Sequence, residues 1–597
     1  MSDLCGTSTT NDYRTVVRRV EAEGLSFLTI TLPNFAKDLQ KGLERGYVAH
    51  DLFAGFRFRG GLPCFLGGFL EHIFDRRSGW ILQDPSSDCV LAVRQLTLLY
   101  GKMELACTDA RRSNAIKEYL NCEQEVKEYD SRFFSDPNSQ ELDILEDFHR
   151  VSLLLFGDVL SALDFDIHNG DIVPKHGPGS TADKLSGNQK LTQTEWPDRL
   201  EEEFAYIEYA LPSLRYHQMV DRVTFLTPEQ ERPVRVITVP KTLKTPRIIA
   251  IEPTAMQYMQ QAIMECLCEY LETDILQNRT SAIRGMIGFR SQEPNQFLAL
   301  KGSQEGILAT LDLSEASDRV SNQLVQLLLD RYPHVNRGVQ ACRSRKADVD
   351  GQVIRLSKFA SMGSALTFPI EAMVFLTAVF VGIQRQIQKP LSRAIIKSFR
   401  DEVRIFGDDI IVPVDYVQSV IGALEDFGLR VNTSKSFWNG RFRESCGKDY
   451  FAGDDVSVIR CRELLPTSRK DVSEIVSTVS LRNHMFMSGN WRTARHLDGL
   501  LTDILRHFPA VLPTSPALGR ISSLGYDSQK EDKRLHKPLV KAYVVSATIP
   551  ENGVDGADAL LKWFLKRGTE PFAALDHLER SGRPEALHIN SGWYSAV

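Results

Sequence analysis

Val403-Arg404-Ile405-Phe406-Gly407-Asp408-Asp409-Ile410-Ile411-Val412 sets two short β-rich runs on either side of a Gly-Asp-Asp turn. Glycine and aspartate are what a tight hairpin uses, so the stretch predicts two antiparallel strands with adjacent carboxylates at their junction. Two carboxylates that close repel, and beside a low-dielectric core each also resists ionisation. A divalent cation is the natural compensation, because Mg²⁺ prefers hard carboxylate oxygens and shares its shell with waters and substrate phosphates. Upstream, Ile307-Leu308-Ala309-Thr310-Leu311-Asp312-Leu313 reads as a buried strand ending in a third carboxylate. Side by side, the two strands would bring Asp312, Asp408 and Asp409 together. Two ions about 3.5–4 Å apart would then clamp the attacking and leaving oxygens of a phosphoryl transfer. Gly-Asp-Asp alone is a common turn, and the second copy, Gly453-Asp454-Asp455, reads as an ordinary one.

Outward from this stretch the periodicity is helical. Val320, Leu324, Leu327 and Leu328 fall at i, i+4, i+7 and i+8, a second helix runs from about Ser364 to Ile383, and a third carries Val417, Ile421, Leu424 and Phe427 before Gly428. The order strand–helix–helix–strand–strand–helix describes an α+β fold, an antiparallel sheet backed by helices. Further upstream, Ser152 to Leu163 looks helical, and Pro174-Lys175-His176-Gly177-Pro178-Gly179-Ser180 breaks regular structure. Glu195, Asp198, Glu201, Glu202 and Glu203 read as a solvated helix face. The charge sign then reverses: Arg232, Arg235, Lys241, Lys244 and Arg247 occur with no acidic residue among them, and Val234, Val236, Ile237 and Val239 alternate with some of them. This predicts a β-ribbon with cations along one side, which by itself is equally a solvent-exposed basic hairpin.

Composition narrows the class. At 597 residues, with 43% hydrophobic and 25% charged, the chain is ordinary globular protein of several domains' length, neither disordered nor fibrous. A net charge of −6 argues against a uniformly basic coat, but a local basic channel can coexist with it. Ten scattered cysteines make no disulfide framework, and Cys266 with Cys268 lacks the second pair a zinc site needs. The first residues lack a signal-peptide pattern, and the longest apolar run, Ala372 to Ile383, falls short of the roughly 20 residues a spanning helix requires. The expectation is a soluble, intracellular protein.

Taken in order, the chain offers the basic ribbon 232–247, then Asp312-Leu313-Ser314-Glu315-Ala316-Ser317-Asp318, then Ser361-Met362-Gly363-Ser364-Ala365-Leu366-Thr367-Phe368-Pro369-Ile370-Glu371, then Phe406-Gly407-Asp408-Asp409, and Lys435 after Gly428. This series resembles motifs F, A, B, C and D of viral RNA-dependent RNA polymerases. More narrowly, with Pro174 to Gly179 and Phe442-Arg443-Glu444-Ser445-Cys446-Gly447-Lys448-Asp449-Tyr450, it is similar to the replicase catalytic subunits of the levivirus group of single-stranded RNA bacteriophages. The resemblance covers about residues 170–460.

It implies a right-hand polymerase: an N-terminal region with part of the fingers (1–230), fingers with the basic ribbon (231–300), a palm (301–465, with a fingers insertion near 335–360), and a thumb with the C-terminal region (466–597). It implies two Mg²⁺ ions, with Mn²⁺ an alternative, held by Asp312, Asp408, Asp409 and the Leu313 carbonyl. Lys435 would donate a proton to pyrophosphate, with a solvent lysine as the bland alternative. Arg235, Lys241, Lys244 and Arg247 would meet the triphosphate, and Asp318, Gly363, Thr367 and Glu371 the ribose. Glu371 stands where many RNA polymerases have asparagine. Lys175, His176 and Gly177 would touch the template or shape their loop. The implied partners are RNA template and product, nucleoside triphosphates, host elongation factors Tu and Ts and a host ribosomal protein, in the cytoplasm of an infected bacterium and away from membranes. Initiation would need no primer. A reverse transcriptase shares the palm and paired aspartates, although Gly407 argues against it. A non-catalytic RNA-binding assembly protein with a polymerase-like palm is the alternative from another class.

Overall fold

The computed structural model describes residues 1–273, 282–548, 553–565 and 586–597. In chain order, the elements that frame the Gly-Asp-Asp turn are helices α1 (Leu32–Arg45) and α2 (Ser139–Asn169), strands β1 (Val234–Val239), β2 (Arg247–Ile251) and β3 (Leu308–Asp312), helix α3 (Asn322–Leu329), strands β4 (Lys346–Val349) and β5 (Gln352–Arg355), helix α4 (Thr367–Ile387), strands β6 (Arg404–Phe406) and β7 (Asp409–Pro413), and helix α5 (Val417–Asp426).

β7 lies between β6 and β3 in an antiparallel sheet, with Phe406 opposite Asp409 on one side and Asp312 opposite Asp409 on the other. Single bridges widen both edges, from Ile287 to Ile405 and from the 430s segment through Thr310–Phe437 and Leu313–Val431. Side chains alternate between faces along each strand. Leu311, Ile410 and Val412 therefore enter the large core, while Leu308 and Ile411 pack with Leu298 on the other face. Asp312 and Asp409 share that second face at the end of the sheet.

Helix α4 is apolar all round and accordingly buried, packed between α2 and α5. Its 21 residues make it longer than the run Ala372–Ile383 suggested, and by length and composition alone it could cross a membrane. Yet 94% of its apolar window is covered by the protein's own core. The helix expected over Ser152–Leu163 is part of the 31-residue α2, whose amphipathic pattern continues in both directions. The acidic run is helical from Asp198 to Glu203, as expected, with Glu202 exposed and several of the others paired. Glu195 sits in a short strand and pairs with Arg232, Glu203 pairs with Arg337 at 2.8 Å, and Glu201 accepts the Tyr206 N–H at 2.6 Å.

A second sheet runs β2–β1–β4–β5, with β1 antiparallel to β2 and parallel to β4. The basic segment is thus a hairpin closed by residues 240–246, and the insertion near 335–360 supplies the sheet's other half. Towards the C-terminus, helices Val472–Met487 and Trp491–Leu505 pack on each other, and strand Pro538–Thr548 pairs with Ala586–Ser595. Parts of the segments read as fingers and thumb, 274–281, 549–552 and 566–585, lie outside the described residues.

Candidate active site

Gly407 makes the turn. Its φ of 60° is left-handed, and an added Cβ would lie 2.3 Å from Cε2 of Phe368, so the position admits no side chain without strain or displacement. Asp408 is exposed at the tip and Asp409 begins β7, directly opposite Asp312. The two strands that the sequence reading required to converge do so.

Each carboxylate has its own setting. Both oxygens of Asp312 lie 3.2 Å from Nζ of Lys435, and Nδ2 of Asn432 donates to Oδ2 at 3.1 Å. The strand end is pinned as well. The Asp312 N–H donates to Ser436 Oγ at 3.0 Å, and its carbonyl accepts from the Asn432 N–H at 2.8 Å. Because backbone groups of successive strand residues face opposite edges, the Leu313 carbonyl faces the side on which Asp409 lies. Asp409 accepts the Cys446 N–H at 3.2 Å. Burial raises the Asp312 carboxyl above its ordinary value, Lys435 opposes that rise, and Asp408 adds to it. Burial, then Asp408, push Asp409 up to about 6. Burial alone would pull the Lys435 ammonium down, but Asp312 outweighs it and holds the group above its usual value.

These donors suit a hard divalent cation: carboxylate oxygens, an outward backbone carbonyl, and negative charge whose repulsion is only partly answered by Lys435. Among the described residues no three His, Cys, Asp or Glu side chains form a closed metal cage.

A second pocket wall is built by Asp318, whose Oδ1 accepts from Ser361 Oγ at 2.8 Å and Lys358 Nζ at 3.1 Å. Lys358 is fully buried over the Tyr119 ring, 3.6 Å from its centroid, and Tyr119 Oη meets Ser361 Oγ at 3.0 Å. Glu371, 7% exposed, has one carboxyl oxygen buried without a partner. Burial raises its proton affinity well above the carboxylate norm, with Asp408 and Asp318 adding to the effect. Burial therefore favours the protonated carboxyl at this position.

Gly363 and Thr367 shape this wall rather than line it. Gly363, at φ 138°, lets the 361–364 loop lie on β2, where a Cβ would meet the Ala250 carbonyl oxygen at 1.9 Å. Thr367 is buried, and its hydroxyl donates to the Ser361 carbonyl at 2.9 Å.

The basic hairpin faces the same site. Burial, Arg247 and Lys435 lower the Lys241 ammonium while Asp408 and Asp312 raise it, so all of these groups share one electrostatic neighbourhood. Arg247 stands opposite Val239 at the hairpin's closed end. Arg235 is on the same face but four residues down the strand, about 13 Å away, beside a cleft lined by Arg112, Asp348 and Asp350. The structure sets it apart from the loop cations.

His176 stacks on Tyr258 at 4.4 Å, with Nε2 buried and unpartnered, and burial pushes its imidazole down to about 3. Its stacking on Tyr258 supports the shaping of the loop, one of the two roles read for it. Lys175 pairs with Glu265, and the Gly177 carbonyl accepts from Lys190 Nζ at 2.7 Å. Gly453-Asp454-Asp455 closes an ordinary hairpin, its Asp455 paired with Lys448 at 2.7 Å.

Sequence reasoning missed Asn432, Ser436, Lys358 and the Cys446 amide. Only Asn432 carried a signal, being three residues before Lys435 in a turn closed by the Lys435 N–H on its carbonyl at 2.9 Å.

Residues 211–482 match the family described as RNA replicase, beta-chain. The RNA-directed RNA polymerase subunit beta of Qbeta virus (strain MX1) is 38% identical over 236 residues, 39% of this chain and 36% of its own length. The RNA-directed RNA polymerase beta chains of Enterobacteria phage fr and Escherichia phage MS2 are 36% and 35% identical, each over 37% of this chain and 36% of theirs. The chain thus matches about a third of the length of these curated relatives, and the stretch matched by the family model, 211–482, includes Asp312, Asp408, Asp409, Lys435 and the basic hairpin. The resemblance read from the motifs is borne out. A solved structure described as an RdRp complex superposes with a TM-score of 0.32 and 13% identity over 56% of this chain and 31% of its own.

Proposed function

We propose that this chain, similar over its central half to phage RNA replicase beta chains, is the catalytic subunit of such a replicase and copies RNA on an RNA template from nucleoside triphosphates. The observation that carries the reading is the pairing of Asp312 with Asp409 across one ladder, with Asp408 on the adjoining turn and Lys435 on Asp312. In this reading residues 301–465 are a palm, 231–300 and the insertion near 335–360 belong to fingers, and 466–597 include a thumb.

Asp312, Asp408 and Asp409, with the Leu313 carbonyl, would hold two divalent cations, Mg²⁺ or Mn²⁺. Bound there, such ions lower the barrier to attack by a 3′-hydroxyl on the α-phosphate and stabilise departing pyrophosphate. The protein's own groups supply position and fixed charge. Lys241, Lys244 and Arg247 draw in and orient the triphosphate. Glu371 and Asp318, the latter fixed by Ser361 and Lys358, face the sugar. Lys435 would give its proton to the departing pyrophosphate oxygen, which is general-acid help to a leaving group. Primer-independent initiation, partnership with elongation factors Tu and Ts and a ribosomal protein, and action in the cytoplasm of an infected bacterium extend the same proposal from the resemblance.

The test is Asp408→Asn, which keeps the size of the turn residue and removes its charge. Nucleotide incorporation on an RNA template should vanish while RNA binding is largely kept. Undiminished synthesis would point to a chain that holds RNA without copying it. Preference for deoxynucleotides on an RNA template would make it a reverse transcriptase.

A further inference from the structure

Arg343-Ser344-Arg345-Lys346 leads into β4, and in extended chain successive side chains turn to opposite sides. Ser344 bonds the Glu252 carboxylate at 2.5 Å, and Lys346 Nζ donates to the carbonyls of Pro228 and Glu229 at 2.8 and 3.0 Å. Arg343 and Arg345 instead line a cavity of about 410 Å³, together with Arg355 of β5. Arg343 is only 6% exposed. Its Nε donates to the Phe359 carbonyl at 2.7 Å, and its Nη2 to those of Leu356 and Lys358 at 3.0 and 2.6 Å, so the guanidinium is held fixed in the cavity wall.

The first turn of α3 forms another wall. Asn322 and Gln340 satisfy each other there, through amide bonds of 3.3 and 3.0 Å. Gln323 and Gln326, at i and i+3 of the helix, present side-chain amides that have no hydrogen-bond partner among the described residues. Arg345 and Arg355 likewise have no ion-pair partner among the described residues. The acids nearby are engaged elsewhere. Glu231 pairs with Arg199 at 2.6 Å, and Glu123 lies 3.7 Å from the buried Lys358 ammonium. Asp130, the one carboxylate in the lining, accepts from Ser321 Oγ. Three guanidinium groups thus meet one carboxylate, and Leu356 is the one apolar residue of the lining. A hollow of this charge repels cations, offers nothing to an apolar ligand, and favours an anion. Its volume lies within the range of about 300–1,000 Å³ usual for small-ligand sites.

We propose that this cavity is a second nucleotide-phosphate site, separate from the centre at Asp312 and Asp408. Arg345 and Arg355 grip the phosphate, Arg343 fixes the wall behind it, and Gln323 and Gln326 bond the sugar or the base edge. Guanidinium forks match phosphate oxygens bidentately, which an ammonium cannot do. A glutamine amide both donates and accepts, the pattern that an adenine edge presents. The site stands apart from the replicase reading, for none of the residues lining it belongs to the carboxylate centre or the basic hairpin. The two regions adjoin through one segment: Ser357 lines the cavity, and Lys358, next in the chain, turns its ammonium to Asp318 at 3.1 Å. The phosphate is that of a free nucleotide or of an RNA strand, and the recognising chemistry is the same for both.

The experiment is calorimetry on the full chain in EDTA, which suppresses metal-dependent binding at the carboxylates. ADP, adenosine, inorganic pyrophosphate and an RNA hexamer are titrated into wild type, Arg345→Met, Arg355→Met, Arg345→Lys and Arg331→Met, with thermal melts to check that each variant is folded. ADP should saturate a site that either methionine weakens about 5- to 10-fold, the scale of a charge-assisted contact discounted for partial exposure. Arg345→Lys should keep part of the affinity, and Arg331→Met, which removes an exposed arginine outside the cavity, should match wild type. Adenosine should not bind, and pyrophosphate should bind more weakly than ADP. Displacement of ADP by the hexamer assigns the phosphate to an RNA strand, and failure to displace it assigns the phosphate to a free nucleotide. No saturable ADP binding by wild type, unchanged affinity in both folded methionine variants, an equal loss in Arg331→Met, or adenosine or pyrophosphate binding as tightly as ADP overturns the proposal.

Discussion

Replacing Gly407 by alanine perturbs the turn that presents Asp408, and the structure gives both contributions to its effect. At φ 60° an alanine sits in the left-handed region, at a cost of about 1–2 kcal/mol. Its Cβ would also lie 2.3 Å from Cε2, 3.2 Å from Cζ and 3.3 Å from Cδ2 of Phe368. That ring is wedged between Phe289 and Phe406, each 5.5 Å away centroid to centroid, so relief requires moving several rings or the turn. Overpacking of this kind typically costs about 1–3 kcal/mol. The expected loss of stability is roughly 2–5 kcal/mol. Catalysis should suffer more than stability, because displacing a reacting group by about 1 Å can cost about 100-fold. Gly422→Ala is the control: it lies in α5 with nothing within 4 Å of the added carbon, and should be neutral or slightly stabilising. Guanidinium melts and single-nucleotide incorporation, run on both variants, separate the two effects. A Gly407→Ala chain with wild-type melting and wild-type incorporation would refute the turn geometry and its link to function together.

Lys435→Met should lower the rate of incorporation about 100-fold or more, the scale of lost general-acid help, and abolish the basic limb of its pH profile. An unchanged rate would reduce Lys435 to a partner of Asp312. Glu252→Gln probes a buried carboxyl outside the site, which burial raises to about 7 against the opposing bonds of Ser344 and Gln260. Above pH 4.5 the unfolded chain releases this proton while the folded chain keeps it to about pH 7, so the wild type loses stability as pH rises through that window. The variant lacks the penalty. Its melting advantage over wild type should grow from pH 4 to pH 8, by at most about 3 kcal/mol, and a pH-independent difference would contradict the raised value.

The parts legible in the sequence were those where local chemistry and fold agree. The hairpin around Gly407, the strand ending at Asp312 and the helix stopping at Gly428 each combine a turn residue with a matching apolar period. Their meeting is non-local, but strands with a carboxylate at one end have few ways to pair once a common core is buried. The pocket wall was only half legible. Asp318 and Glu371 could be named, whereas Lys358, fully buried on Tyr119, could not, because a lysine in a sequence gives no sign of lying inside. For His176 the Pro/Gly loop left two roles open, and what the sequence could not show is that the loop folds the ring onto Tyr258.

The arrangement of charge discriminates between binding RNA and copying it. The carboxylates at the sheet end repel one another, and only Asp312 is directly answered by a cation. Near them stand Lys241, Lys244 and Arg247, which among the described residues have no bonded carboxylate. Apart from Lys435 on Asp312, the two sets stay on different elements, the sheet end for the acids and the β1–β2 loop for the bases. A groove that only gripped RNA would gain from the cations and lose from every carboxylate placed near a phosphodiester. A ligand that carries phosphates at one end and divalent cations against them relieves both sets at once. A metal-bound nucleoside triphosphate, the substrate of the proposed function, would be such a ligand.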